Sequence, residues 1–120
     1  MHAPGIVGRE FGQKAAHHLL LGHGLAMQML AKNSPQTLNG IVLNVTPCDP
    51  VTQSDADLKA TAFADDYINH WNMRPVMTGK YPDIIEQLPA EPRPDIHPGD
   101  MEIIAQPLDY LGVNFYTRLH

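Results

Sequence analysis

Apolar side chains recur every three or four positions over residues 13–32. This spacing places them on one side of a helix of about five turns, which ends near Asn33, just before a proline. Gly22 and Gly24 lie inside the helix, where each costs roughly 1 kcal/mol relative to alanine. We therefore expect another backbone to approach the helix closely at these two glycines.

A continuous apolar run rich in β-branched residues follows at Gly40–Val45. Because polar and apolar residues do not alternate in it, the run predicts a parallel strand that is buried on both faces. A second strand is predicted over residues 108–116, although Asp109 and Asn114 are unusual in a strand. The two runs indicate an α/β protein.

Between the strands, Ser54 is predicted to cap a helix, because a carboxylate at Asp57 follows it three residues later. Apolar residues then recur at spacings of three and four as far as Trp71, while polar residues such as Asn69 fall mostly on the other side. The helix is therefore amphipathic. We expect Pro75 to interrupt it.

The predicted order is helix, strand, helices, strand, with short helical turns after Pro82 and Gly99. Two parallel strands joined by a helical crossover form one β-α-β unit. Such a unit leaves its strand edges uncovered, whereas an α/β barrel needs eight strands and typically ~250 residues. We therefore expect this chain of 120 residues to be a fragment of something larger, with no complete domain of its own.

Acidic residues outnumber basic residues by 13 to 8, and the basic residues are scattered along the chain. Nucleic acid is therefore not an expected partner, because binding phosphates needs a basic stripe. No apolar run approaches the ~18 residues of a membrane span, and the start of the chain lacks the pattern of a secretory signal. These features predict a cytoplasmic protein that binds neither membranes nor nucleic acid.

The reactive side chains do not assemble a recognisable catalytic centre. His17, His18 and His23 cluster in the sequence, but separations of five and six residues place His23 away from the other two around a helix. Paired acids, Asp100 among them, lie on helix flanks or near helix starts, where capping and solvation explain them. Cys48 has no second cysteine to pair with and is interpreted as a bystander thiol. We expect no metal, no cofactor and no catalytic residue in this chain.

Polar side chains stand at the carboxyl ends of both predicted strands. Asn44 lies in the first strand, and Asn114, Tyr116 and Thr117 lie at the end of the second. In a parallel α/β barrel these ends line the ligand site. Alternatively, the two asparagines satisfy backbone groups of the loops, and the residues by themselves leave both interpretations open.

Several motifs occur in a fixed order along the chain. They are His-Ala-Pro-Gly at residues 2–5, the helical segment 15–24, Gly-Ile-Val-Leu-Asn at 40–44, residues 71–75 with 79–82, and residues 109–118. In this order they resemble the glycoside hydrolase family 1 enzymes, especially the bacterial β-glucosidases. The resemblance covers almost the whole chain, and it equates the two predicted strands with strands five and six of the family's barrel.

The resemblance implies a partial (β/α)8 TIM barrel, in which residues 1–120 span the helix after strand four to the end of strand six. It also implies hydrolysis of β-linked glucosides with retention, which requires two carboxyl groups ~5 to 5.5 Å apart. In the family both are glutamates, found in Thr-x-Asn-Glu-Pro and Thr-Glu-Asn-Gly motifs. Neither motif occurs here, so the isolated chain is expected to be inactive.

By the same resemblance, four residues support the site without catalysing the reaction. Tyr116 matches a tyrosine whose hydroxyl bonds the nucleophile, and Asn114 matches an asparagine beside it. Asn44 and His2 match positions near the leaving group. The expected partners are a β-glucoside substrate and the remainder of the barrel. The alternative hypothesis is a non-catalytic α/β module that buries its strand edges by self-association.

Overall fold

The computed structural model describes residue 5 and residues 8–89 and 93–120. The elements are α1 (Arg9–Asn33), β1 (Gly40–Val45), α2 (Asp55–Asp65), α3 (Trp71–Thr78), α4 (Asp100–Ile104) and β2 (Tyr110–Phe115). A π-helical turn (Asp66–His70) joins α2 to α3, and a 3-10 turn (Asp83–Gln87) precedes α4. The predicted order of helices and strands is confirmed, and β1 has the predicted bounds.

The two strands form a parallel pair in which Asn44 lies opposite Asn114. One face of the pair meets the helices, since Ile41 packs against the buried core. The expected burial of β1 on both faces is wrong for this chain: Val42 is 54% exposed. On the opposite face of the neighbouring strand, Val113 is 55% exposed. The described residues supply helices for part of one face only, so apolar side chains of the strand pair stay exposed on both faces.

Ser54 caps α2 as predicted, with its side chain accepting a hydrogen bond from the backbone N–H of Asp57. The apolar side of this helix is less well packed than its pattern suggests. No side chain of α2 is buried, and Phe63 is 42% exposed. Its last turns instead lead into the buried part of the protein around Trp71.

The expected interruption at Pro75 is wrong, because this residue lies inside α3, which continues to Thr78. A proline in a helix removes one backbone hydrogen bond and crowds the preceding turn. Here Trp71, Pro75 and Val76 are all buried, and this packing offsets the loss. The irregularity lies instead just before α3, in the π-helical turn.

Gly22 and Gly24 of α1 have different surroundings. At Gly24 an added Cβ would lie 1.9 Å from the carbonyl oxygen of Ile103, so the backbone of α4 does approach the helix there as predicted. At Gly22 nothing lies within 4 Å of that position, and the same expectation is wrong. Only Gly24 is required by the packing of α1 on α4.

We expect Gly24→Ala to lower the free energy of unfolding by about 1 to 3 kcal/mol, because the new methyl group must push α4 away. Gly22→Ala is the matched control in the same helix. It has open space, and it should raise stability by up to about 1 kcal/mol because alanine favours the helix. Urea unfolding of the two variants checks this, and effects of the same sign would contradict it.

Candidate functional site

Two asparagines meet on the exposed sheet face, at the carboxyl ends of the strands. Asn44 and Asn114 occupy paired positions of the parallel ladder, so their side chains emerge on the same face. The Nδ2 of Asn114 donates a hydrogen bond to Oδ1 of Asn44 at 3.1 Å. Both residues are exposed, and each amide keeps unused donors or acceptors. The structure thus brings together two of the four predicted site residues.

Tyr116 lies two positions beyond Asn114, just after β2 ends. Its side chain is 80% exposed, and within the described residues its hydroxyl forms no hydrogen bond. The phenol is therefore open to groups outside this part of the chain. His2, the fourth predicted site residue, lies outside the described residues. We refer to Asn44, Asn114 and Tyr116 as the carboxyl edge.

The segments that follow the two strands are tied to each other. Cys48 and Leu119 form an isolated parallel bridge, and the backbone N–H of Asp49 donates to the carbonyl of Leu119 at 2.8 Å. Arg118 adds a two-pronged ion pair, with Nε 2.7 Å from one carboxylate oxygen of Asp49 and Nη2 2.8 Å from the other. The hydrogen bonds from Arg118 hold the pKa of Asp49 below its ordinary value. The carboxylate of Asp49 therefore links the segment after β1 to the segment after β2.

The helical pattern of the sequence predicts that Asn69 lies on the polar side of its helix, and the structure corrects this prediction. It is only 5% exposed, and its amide bonds both backbone groups of Thr46, directly after β1. Helical periodicity assigns polar residues to solvent and carries no signal for such a contact. The π-helical turn that contains Asn69 shifts it out of that periodicity.

A shallow cavity of about 380 Å³ lies beside the segments that follow the strands. Its lining includes Cys48, Val51 and Leu119 together with residues of α2. Burial, followed by the charges of Asp65 and Asp49, raises the pKa of the Cys48 thiol, which disfavours the nucleophilic thiolate. The electrostatics therefore support the interpretation of Cys48 as a bystander.

His17 belongs to a buried network of hydrogen bonds behind the sheet. Its Nδ1 lies 2.9 Å from the hydroxyl of Tyr81, and its Nε2 lies 3.1 Å from Oδ2 of Asp100. With a neutral imidazole, the phenol donates to Nδ1 and Nε2–H donates to the carboxylate. Burial, and then the charge of Asp100, raise the pKa of Tyr81, so its hydroxyl stays protonated. This network of hydrogen bonds links α1, α4 and the segment after α3.

Asp100 lies at the start of α4 as expected, but the expectation that solvation explains its side chain is wrong. It is buried, and it accepts hydrogen bonds from His17 and from the backbone N–H of His97 at 2.7 Å. These hydrogen bonds hold the pKa of Asp100 below its ordinary value, and the bond from His17 has the largest effect. Through these contacts, His17 has a structural role.

The lowered pKa of Asp100 predicts a loss of stability in acid. A carboxyl whose pKa is lower in the folded state stabilises the fold above its unfolded pKa of about 4, and this stabilisation disappears as the pH falls through the folded pKa. Asp100→Asn should therefore reduce stability at pH 7 and make the decline below about pH 5 shallower. Urea midpoints measured from pH 7 to pH 3 test this. Glu102→Gln, an exposed change of the same charge on α4, is the control, and equal slopes for Asp100→Asn and the parent would contradict the prediction.

The described ranges contain no group of three or more histidines, cysteines or acids placed to hold a metal ion. Within them, no helix is both long and apolar enough to cross a membrane. The side chains of the carboxyl edge offer hydrogen bonding by two amides and one phenol.

This chain is similar in sequence and in structure to several known proteins. A β-glucosidase of an Agrobacterium species is 34% identical over 119 residues, which cover 99% of this chain and 26% of the relative. The solved structure of virulence factor SghA from Agrobacterium tumefaciens is 35% identical, with a TM-score of 0.89, and 98% of this chain covers 26% of it. The β-glucosidase from Exiguobacterium antarcticum is 36% identical, with a TM-score of 0.84, over 98% of this chain and 27% of that structure.

The chain thus spans about a quarter of the length of the relatives that it matches. The solved structures are (β/α)8 barrels, and the two parallel strands with their helices superpose on one part of them. The predicted partial barrel is therefore confirmed. The sequence model that describes glycosyl hydrolase family 1 matches residues 1–119. On this match and this fold, the chain belongs to glycosyl hydrolase family 1.

Proposed function

We propose that this chain is the central segment of a retaining β-glucosidase, from the helix after strand four to the end of strand six, and that it is inactive alone. The observation that carries the proposal is the carboxyl edge, where Asn44 and Asn114 are hydrogen-bonded on an open sheet face. Ligand sites of α/β barrels lie at this end of the strands. The relatives named β-glucosidase and the SghA complex with its substrate analog salicin support a β-glucoside as the substrate class.

In the proposed enzyme the two catalytic carboxyl groups come from outside this chain, one as nucleophile and one as acid and then base. Tyr116 donates a hydrogen bond to the nucleophile and keeps it ionised and oriented. Asn114 lies beside that group, and Asn44 and His2 lie on the leaving-group side. The exposed phenol of Tyr116 and the unused polar groups of the two amides are available for these contacts.

A graft tests this proposal. In the Agrobacterium β-glucosidase, this chain replaces the segment with which it aligns, to give the grafted enzyme. The grafted enzyme is expected to hydrolyse an aryl β-glucoside, whereas the purified chain alone should not. Replacement of the relative's own nucleophilic glutamate by glutamine is the control, and it should abolish the activity of the graft.

Two outcomes would contradict the proposal. One is a grafted enzyme that is folded by circular dichroism and monodisperse in light scattering but does not hydrolyse the glucoside. The other is hydrolysis by the 120-residue chain after every other polypeptide has been removed.

The second candidate is the non-catalytic module that self-associates. The exposed apolar residues of the strands favour it, since Val42, Val113 and Phe115 are each more than half exposed, at 54%, 55% and 58%. The same surface suits the missing parts of a barrel. Light scattering of the chain separates the candidates, because a stable homo-oligomer favours self-association. A cytoplasmic location stays a prediction from the sequence.

A further inference from the structure

The buried side-chain amide of Asn69 forms hydrogen bonds with both backbone groups of one residue, Thr46. Its Oδ1 accepts the backbone N–H of Thr46 at 2.8 Å, and its Nδ2 donates to the carbonyl of the same residue at 2.9 Å. The side chain thus bonds the backbone of Thr46 as a neighbouring strand would. With the residue 5% exposed, water does not readily replace these two bonds.

A third contact fixes the orientation of this amide. Nδ2 of Asn69 also donates to Oδ1 of Asp65 at 2.5 Å, and Asp65 lies one turn earlier in the same helical segment. A carboxylate only accepts hydrogen bonds, so the NH₂ group of Asn69 must face it. The flipped amide would lose all three contacts. The π-helical turn Asp66–His70 carries Asn69 and directs it toward the end of β1.

Thr46 is the first residue beyond the parallel ladder. The ladder runs to the last residue of β1, and pairing resumes only at the bridge between Cys48 and Leu119. At the break, Asn69 provides the bonds that the ladder does not. Asn44 lies two residues before Thr46. The path of the backbone at Thr46 therefore fixes the position of the strand end from which the side chain of Asn44 projects.

We infer that Asn69 is a positioning residue of the carboxyl edge, which acts through the backbone of Thr46 on the side chain of Asn44. The inference rests on the proposed function, because it assigns a purpose to the site in the complete enzyme. Asn69 lies behind the strand end, and among the described residues its hydrogen bonds to this strand are those with the backbone of Thr46.

The test is a double-mutant cycle in the grafted enzyme with an aryl β-glucoside as substrate. Asn69→Ala leaves two backbone groups unpaired, and it should lower kcat/KM by about 5- to 10-fold. In the Asn44→Ala background the same change should lower kcat/KM less than about twofold, because the group that it positions is gone. A merely structural residue would have the same factor in both backgrounds, and that result would overturn the inference.

Two further variants provide a second test of the inference and a matched control. Asp65→Ala removes the contact that orients Asn69 without touching the strand, and its smaller loss should likewise depend on Asn44. It replaces Asn69→Ala if that variant fails to fold, and a loss independent of Asn44 would again overturn the inference. Asn72→Ala is the matched control, because the described residues offer its side chain no hydrogen bond; kcat/KM should stay within about twofold of the parent.

The two proposals fail in different ways. A folded but inactive parent graft would overturn the proposed function and this inference with it. An active parent with equal factors in both backgrounds would overturn the positioning role of Asn69 alone.

Discussion

Replacing Trp71 by alanine should lower the free energy of unfolding by about 3 to 5 kcal/mol. The side chain is 2% exposed and lies where α3 meets the segment that follows it. Its ring centroid is 5.1 Å from that of Tyr81 and 5.9 Å from that of Tyr67, and Ile84 completes the cluster. Within the described residues its indole N–H has no hydrogen-bond partner, so the whole expected loss comes from packing and burial.

Urea unfolding of the purified chain, followed by far-UV circular dichroism, measures this loss without relying on tryptophan fluorescence. Phe63→Ala is the control at the outer end of the same row of rings. Phe63 stacks on Tyr67 with a centroid distance of 6.5 Å but is 42% exposed, so its loss should stay below about 1.5 kcal/mol. Equal losses for the two variants would show that Trp71 is not the centre of the cluster.

Tyr116→Phe should lower kcat of the grafted enzyme by about 10- to 100-fold while KM changes much less. Under the proposed function its hydroxyl bonds the charged nucleophile, and hydrogen bonds to charged groups are among the strongest. The ring of Tyr116 is 80% exposed in this chain, so phenylalanine retains its shape and disturbs no packing here. The loss then concerns the reacting groups more than the binding of substrate.

Steady-state kinetics on an aryl β-glucoside separates kcat from KM. Tyr110→Phe is the matched control, because Tyr110 begins the same strand at the opposite end of the sheet and is 51% exposed. It should leave both parameters unchanged. Equal effects of Tyr116→Phe on kcat and KM would count against the assignment of its hydroxyl to the nucleophile.

Features with a local cause could be predicted from the sequence. The β-branched run sets the bounds of β1, and the hydroxyl of Ser54 with the acid at Asp57 sets the start of α2. The position of Asn44 and Asn114 at strand ends also follows from these patterns. Their mutual contact depends on the parallel register, which joins residues 70 positions apart.

Features with a non-local cause could not be predicted. The contact of His17 with Asp100 joins residues 83 positions apart, and the burial of Asn69 depends on a π-helical turn and on the end of a distant strand. Helical periodicity assigns these polar residues to solvent because it scores each side chain alone. The interruption predicted at Pro75 is wrong for a related reason, since burial of its helix outweighs the local cost of proline.

The open faces of the strand pair have a consequence for synthesis of the proposed enzyme on the ribosome. The segment emerges with its helices before the strands that follow it, and Val42 and Phe115 stay in contact with water during that interval. Exposed apolar strands readily pair with other copies of the same nascent chain. Translation of the next strands therefore competes with aggregation, and a pause at this point should increase the demand for chaperones.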